Sequence, residues 1–205
     1  MHKETQEKPK HAVVAAVQLP SVTDMEFEAS LTELRELAKT LGFSVVHTFT
    51  QKRSNFDYTA YLGTGKREEI RQFINSKLES SESQQTEKTT ALDACNIDVI
   101  LVDHEISPSQ ARNLEKEIGC AVMDRTMLIL EIFHRNARSP AARAQVEIAR
   151  LGYMAPRLRE MAKLAGPQGR QRSGVGGRGA GESHTELDRR KIRDRIAELQ
   201  LEIVA

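Results

Sequence analysis

Hydrophobic residues in the first two thirds of the chain come in short runs that alternate with longer, periodic stretches. The runs have the length of β-strands, and the stretches between them repeat apolar residues every three to four positions, as helices do. Strands separated by helices are typical of an α/β fold with a small, mostly parallel sheet. The predicted strands are HAVVAAVQL (11–19), FSVVHTFTQ (43–51), IDVILVD (97–103) and CAVMD (120–124).

Capping residues predict where the first helices begin and end. Leucines recur at helical spacing in SLTELRELAKTLG, between the first two strands. Ser30 and Glu33 have the spacing of a capping box, and Gly42 fits the end of that helix. Before the fourth strand, Ser107 is followed by a proline and then a glutamine, the pattern of a second capped helix, and Gly119 fits its end.

From residue 126 onward the pattern is helical throughout. A long helix is predicted over about 141–164, with a kink or break near Pro156, because proline lacks a backbone N–H and clashes with the preceding turn. The last helix carries one apolar seam, which needs a partner helix to cover it. We therefore predict a long antiparallel α-helical hairpin with coiled-coil character. The seam consists of Ile192, Ile196, Leu199 and Ile203.

Charge divides the chain into two parts. Residues 1–136 carry 16 Lys and Arg against 21 Asp and Glu, whereas residues 137–205 carry 14 against 8, so a net charge of −5 precedes one of +6. We predict an α/β domain over 1–136 and the helical hairpin over 137–205.

Within the first part, residues 79–94 are rich in Ser, Thr, Gln and Glu, which predicts a disordered insertion. The basic second part favours a polyanionic partner such as nucleic acid.

Other features limit the classes of protein to consider. The longest apolar run, AVVAAV at 12–17, is too short to span a membrane, and no signal peptide precedes it, so a cytoplasmic protein is expected. Neither the cysteines, Cys95 and Cys120, nor the six histidines have the spacing of a metal site. Asp103 and Glu105 follow the third strand, where open α/β sheets bind ligands, but turn and capping roles explain them more economically. No metal site and no catalytic residue are predicted.

The tetrapeptide GTGK at 63–66 resembles part of a phosphate-binding loop. A complete loop reads G-x-x-x-x-G-K-[ST], and here Ala60 stands at the first glycine and Arg67 at the hydroxyl residue. The loop of a P-loop NTPase is therefore absent from this sequence. Two interpretations stay open: a tight turn before a helix, or weak nucleotide binding at the helix start. The residues that would carry the second are Gly63, Gly65 and Lys66.

A glycine- and arginine-rich loop is predicted over residues 166–182, GPQGRQRSGVGGRGAGE, which hold seven of the twelve glycines. Such density is expected where a loop stays mobile or its backbone approaches a ligand closely. Bare amides and guanidinium groups suit RNA phosphates and bases, so composition alone leaves a basic linker and an RNA-binding loop both open. The candidate RNA-binding residues are Arg170, Arg172, Gly174, Gly176, Arg178, Gly179 and Gly181.

Five strings in order resemble the N-terminal part of the HflX family of ribosome-associated GTPases. The family's loop pattern is G-G-x-G-x-R-G-x-G-E-[ST]-x-x-E. In this sequence Ser173 stands at the first glycine of that pattern. The strings span residues 12–203. They are YLGTGKREEI, LVDHEISPSQARNLEKEIG, VMDRTMLILEIFHRNARS, AQVEIARLGYMAPRL and SGVGGRGAGESHTELDRRKIRDRI.

The resemblance implies an α/β N-terminal domain, a helical hairpin bearing the glycine-rich loop, and a separate G domain that binds GTP and Mg²⁺. The matching motifs end before that G domain, so the chain is expected to be a fragment or a shortened relative without GTPase activity of its own and without a cofactor. The family acts on the large ribosomal subunit in splitting or rescuing ribosomes under stress. The resemblance therefore implies that subunit, its rRNA and the G domain as partners.

Two further expectations stand beside this one. The α/β part is an alternative nucleotide-binding domain for ATP or GTP, with weak NTPase activity, if the GTGK stretch binds phosphate. The apolar seams of the helical part could also cause the chain to self-associate where nothing else covers them.

Overall fold

The structure of the protein is a computed structural model, which describes residues 10–82, 96–164 and 184–204. The chain divides into two compact units, Met1–Ile132 and Phe133–Ala205. The described residues form four strands and six helices. In chain order these are β1 (Lys10–Gln18), α1 (Asp24–Thr40), β2 (Phe43–Lys52), α2 (Thr64–Glu82), β3 (Ile97–Val102), α3 (Pro108–Ile118), β4 (Ala121–Asp124), α4 (Arg125–Asn136), α5 (Pro140–Leu164) and α6 (His184–Val204).

The four strands form one parallel sheet in the order β2-β1-β3-β4. In β1, residues 12–17 are fully buried and alternate between two cores, one on each face of the sheet. One core contains residues of α2 and α3, and the other contains residues of α1 together with Leu128 of α4. Burial on both faces explains why β1 is apolar without interruption. The predicted α/β fold with a small parallel sheet is confirmed.

Helix α1 begins earlier than predicted, and the predicted capping box at Ser30 is wrong. The N-cap is Thr23, whose hydroxyl accepts from the backbone N–H of Glu26, while the Glu26 carboxylate accepts from the Thr23 N–H at 2.9 Å. Phe27 is buried and extends the apolar face of the helix back by one turn. Ser30 lies inside the helix, where its hydroxyl donates to Asp103 at 2.9 Å instead of capping.

The other predicted helix boundaries agree with the structure. Ser107 caps α3, and both halves of its capping box with Gln110 are present, at 3.1 Å and 3.0 Å. Gly42 follows α1 with φ +84°, and Gly119 ends α3 with φ +80°. These left-handed conformations bring the β-carbon of other residues close to the backbone, so glycine is favoured at both helix ends.

Helix α5 runs without a break through Pro156, so of the predicted kink or break the break is wrong, and the kink stays a prediction. The proline ring would clash with the carbonyl of the residue four positions earlier, which is Gly152, and a backbone without a side chain there can adjust most easily. In α6 the predicted seam is present: Leu199 is buried, the three isoleucines are half-buried, and the positions between them are exposed. Helices α5 and α6 pack against each other, with Arg195 Nε 3.4 Å from Glu147 Oε1.

Some predictions fall on residues that the structure leaves undescribed. Helix α2 runs to Glu82, so residues 79–82 are helical, and the remainder of the predicted insertion lies outside the described residues. The glycine- and arginine-rich loop at 166–182 also lies outside them. No helix within the described ranges has the length and apolar character that crossing a membrane requires.

Candidate functional site

The GTGK stretch lies at the start of α2, where two of its polar groups are bonded within the fold. The Gly63 N–H donates to Gln51 Oε1 at 2.9 Å, and Lys66 Nζ lies 2.6 Å from Glu69 Oε2. Gly65 is in the first turn of α2, next to open space. The fold therefore brings Gly63, Gly65 and Lys66 together. However, the Gly63 N–H and the Lys66 ammonium, which a phosphate would need, already bond to other side chains of the protein. Nucleotide binding by these residues stays a prediction.

The residue after the lysine, Arg67, has a clear structural role. Its side chain is buried, its Nη1 donates to the Leu62 carbonyl at 2.8 Å, and the same nitrogen lies 3.4 Å from Asp57 Oδ1. Arg67 Nε also lies 2.5 Å from Glu117 Oε2. One guanidinium thus links α2 to the preceding loop and to the end of α3. The position that binds magnesium through a hydroxyl in a P-loop is used here to hold the fold together.

Residues 53–62, which we call the β2–α2 loop, are held by a dense set of hydrogen bonds. The Asp57 carboxylate accepts from two backbone N–H groups of the loop at 2.9 and 3.0 Å, and Asp57 and Tyr61 exchange two backbone hydrogen bonds at 2.9 Å. From α3, Gln110 Nε2 donates to the Asp57 carbonyl at 2.8 Å and Asn113 Nδ2 to the Thr59 carbonyl at 2.9 Å. Burial raises the pKa of Asp57. The backbone N–H groups of Ala60 and Thr59, together with the charges of the nearby arginines, lower this pKa by more.

The crevice between β1 and β3 is filled by the last part of this loop. Open α/β sheets bind ligands where the connections from neighbouring strands diverge, at the carboxyl ends of the strands. Here Tyr61 is fully buried with φ +66°, an unusual conformation for a residue other than glycine. Its hydroxyl oxygen accepts from the Val17 N–H at 3.0 Å and lies 2.8 Å from His104 Nδ1. The protein's own tyrosine therefore occupies the usual ligand position.

The hydroxyl of Tyr61 and the imidazole of His104 form one hydrogen bond in the core of the α/β unit. The tyrosine oxygen also accepts from the Val17 N–H, and a neutral His104 with an unprotonated Nδ1 can accept the hydroxyl proton. Burial lowers the pKa of His104, which favours the neutral imidazole. Burial raises the pKa of Tyr61, which favours the neutral phenol.

Asp103 is explained by a buried ion pair at the end of β3. Its side chain is 2% exposed, and its Oδ1 lies 2.7 Å from Arg125 Nη2. Arg125 Nη1 lies 3.0 Å from Glu33, and Nη2 donates to the Ser30 hydroxyl at 2.9 Å. Burial opposes the charge of Arg125, but the bonds to Asp103 and Glu33 leave its pKa raised. The cluster joins α1, β3 and α4. The sequence pattern does not reveal this cluster, because Ser30 fits a capping box and Arg125 lies far along the chain.

An open groove of about 610 Å³ lies beside the carboxyl ends of β1 and β2. Among its lining residues, Gln18 Nε2 donates to Asp24 Oδ1 at 2.7 Å, and Lys52 Nζ lies 2.8 Å from the same oxygen. The hydrogen bond from Lys52, followed by that from Gln18, lowers the pKa of Asp24. The polar groups of the groove therefore bond to one another. Within the described part of the chain, no group of three His, Cys, Asp or Glu residues could hold a metal ion.

The helical unit carries exposed positive charge on α6. Arg190, Lys191 and Arg193 are exposed, and Arg195, on the same helix, pairs with Glu198 at 3.2 Å. The candidate RNA-binding residues at 170–181 belong to the segment between α5 and α6, outside the described residues.

Two family models match consecutive parts of this sequence and define the class of protein. The model for the N-terminal region of GTP-binding GTPases matches residues 28–134, and the model for their middle region matches residues 136–205. The first match alone covers more than half of the 205 residues. The chain therefore belongs to this family, as its N-terminal and middle regions.

The curated relatives specify the family further. The chain is 44% identical over 215 residues to GTPase HflX of Gluconacetobacter diazotrophicus, 39% identical over 196 residues to that of Alkalihalophilus pseudofirmus and 35% identical over 192 residues to that of Escherichia coli (strain K12). These matches cover 95%, 96% and 93% of this chain but only 46%, 41% and 39% of the relatives. The resemblance to the N-terminal region of HflX GTPases is confirmed, and the chain spans less than half the length of these relatives.

Solved structures support the fold. The SsGBP and GDP complex matches with a TM-score of 0.59 at 20% identity, over 95% of this chain and 43% of that one. A GTP-binding protein from the hyperthermophilic archaeon Sulfolobus solfataricus, in complex with GDP, matches with a TM-score of 0.55 at 21% identity, over 93% of this chain and 45% of that one. At such identities the likeness concerns the fold alone.

Proposed function

We propose that this chain is the part of an HflX-type GTPase that docks on the large ribosomal subunit by binding its rRNA. The observation that carries the proposal is the division of charge: a net +6 over residues 137–205 follows a net −5 over residues 1–136. Lys and Arg side chains that neutralise RNA phosphates release bound counterions, which supplies much of the affinity for nucleic acids. The basic helical unit is thus the part suited to rRNA.

The arrangement of that unit suggests how it meets the RNA. Helices α5 and α6 pack against each other along the seam around Leu199, which supports an antiparallel hairpin with the glycine- and arginine-rich loop at its tip. In this hairpin, Arg170, Arg172 and Arg178 neutralise phosphates while the glycine backbone follows the RNA surface. The exposed Arg193 adds positive charge on α6.

GTP hydrolysis then belongs to a G domain beyond the matched regions, which would bind GTP and Mg²⁺. Support comes from the GTGK stretch, because Gly63, Lys66 and Arg67 bond to groups of the fold itself. The alternative, independent ATP or GTP binding by the α/β unit, has only the position of this stretch at a helix start in its favour. Splitting or rescue of ribosomes in the cytoplasm under stress is the cellular role that we propose for the whole protein.

A comparison of ribosomal subunits with nucleotides on one sample tests the proposal. Purified large subunits, purified small subunits, labelled GTP and labelled ATP are each mixed with the chain, and bound protein is measured by sedimentation or filter retention. We expect the chain to sediment with large subunits in preference to small ones, without tight nucleotide binding. Tight binding of either nucleotide without sedimentation would contradict the proposal and favour the alternative.

A further inference from the structure

The most exposed of the large apolar or aromatic side chains in the described residues is Tyr58, at 96%. It lies in the β2–α2 loop between Asp57 and Thr59, the two residues whose carbonyls are bonded from α3. The loop is therefore ordered on both sides of a side chain that does not pack. Burial of a tyrosine ring is a large source of stability, and the ring of Tyr58 contributes none of it, so this ring is available to a partner.

The order of the loop lowers the cost of binding through this ring. Binding loses free energy when loops and side chains must be immobilised, and a loop already fixed in place avoids most of that loss. Tyrosine adds a large, rigid contact area with only two side-chain torsions to restrict. The Asp57 carboxylate is bonded to backbone N–H groups of the loop and lies close to Arg67. It is therefore already engaged within the fold and is not the group that would bind a partner beside Tyr58.

We infer that Tyr58 stacks on an unpaired base of the rRNA to which the chain docks; this inference rests on the proposed function. Its exposed neighbours Ser54, Asn55 and Thr59 are polar and uncharged, so they can hydrogen-bond to the edge of a base whose face lies on the ring. A protein partner would favour a wider apolar surface that excludes water around the anchor. In the described structure, no other large apolar side chain of this loop is strongly exposed.

Stacking has a different salt signature from phosphate contact, and this provides the test. The affinity of the chain for large ribosomal subunits is measured over a salt series for Tyr58→Ala, Tyr58→Phe and a control, Met25→Ala, which removes another strongly exposed side chain of the same unit. We expect Tyr58→Ala to lose about 5-fold or more in affinity, as for one base–aromatic stack, with an unchanged salt slope. Tyr58→Phe and Met25→Ala should bind like the parent.

The outcomes separate the two proposals. If the parent binds large subunits and Tyr58→Ala binds equally well, the inference is wrong while the proposed function stands. If the parent does not bind large subunits, the proposed function fails, and the inference fails with it. Equal urea midpoints for the parent and Tyr58→Ala establish that any lost affinity is not lost folding.

A photo-reactive phenylalanine analogue at position 58 identifies the chemical class of the partner. Irradiation of the complex with large subunits should link the chain to rRNA. A cross-link confined to a ribosomal protein would overturn the inference and assign Tyr58 to a protein interface. The same analogue at position 25 serves as the control and should give no comparable RNA cross-link.

Discussion

Removal of a single oxygen atom from Tyr61 tests how the β2–α2 loop is fixed to the sheet. The substitution Tyr61→Phe keeps the buried ring but leaves the Val17 N–H without its acceptor at 3.0 Å and His104 Nδ1 without its hydrogen-bond partner at 2.8 Å. A buried polar group left unpaired costs about 1–3 kcal/mol. His104 is only half-buried and can recruit water, so the Val17 N–H dominates. We expect a loss of about 2 kcal/mol in the free energy of unfolding.

Urea denaturation measures this loss. The chain has no tryptophan, so far-UV circular dichroism follows the transition. With a slope of about 1–3 kcal/mol per molar urea, a loss of about 2 kcal/mol lowers the midpoint by about 1 M without changing the slope. That is a large part of the roughly 5–15 kcal/mol that stabilises a typical domain.

The control is Tyr58→Phe, the same chemical change at an exposed ring in the same loop. It should leave the urea midpoint unchanged. A Tyr61→Phe variant within about 0.5 kcal/mol of the parent would refute the reasoning, because it would show that the Tyr61 hydroxyl does not satisfy the Val17 N–H in the folded protein.

Two other predictions concern stability. Gly119→Ala forces alanine into a conformation with φ +80° and should cost about 1–2 kcal/mol in the free energy of unfolding. Gly65→Ala, in helix α2 beside open space, should be neutral or stabilise the protein by up to about 1 kcal/mol. Equal urea midpoints for the two variants would contradict the described backbone. Since burial lowers the pKa of His104, its contribution is full above the ordinary histidine pKa of about 6.5 and is lost as the pH falls through the lower folded value. Urea midpoints between pH 8 and 5 should therefore fall less steeply for His104→Asn than for the parent, and identical pH profiles would contradict this.

Local patterns predicted most of the α/β unit. The apolar run of β1 indicated a strand of a mostly parallel sheet, and the structure has that strand, with residues 12–17 buried. The capping box at Ser107 and the glycines that end α1 and α3 were readable because each depends on contacts within a few residues.

The errors have physical causes that lie beyond local spacing. Ser30 satisfied a capping pattern, but its hydroxyl bonds to Asp103, which is distant in sequence, and the real cap lies about two turns earlier at Thr23. Pro156 predicted a kink or break, but the residue four positions earlier is a glycine, and the helix continues without a break. The pattern could not show that Tyr61 fills the crevice beside β1, because that depends on how the loop packs on the sheet.

The candidate RNA-binding residues were chosen from composition and from the resemblance, and they belong to a segment between two described helices. A high density of glycines indicates either a backbone that closely approaches a ligand or a mobile loop. The local sequence pattern does not distinguish these two cases. Only a measurement on the ribosome distinguishes a basic linker from an RNA-binding loop.

The most direct test is the salt dependence of binding to large ribosomal subunits for a variant in which Arg170, Arg172 and Arg178 are all replaced by glutamine. A matched control removes three exposed charges from the other unit, by the substitutions Lys39→Gln, Arg71→Gln and Lys116→Gln. If the loop docks on rRNA, the logarithm of affinity falls linearly with that of salt concentration, and the arginine variant lowers the slope by about three units. The control should keep the slope of the parent. Identical slopes and affinities for the parent and the arginine variant would contradict the proposed docking.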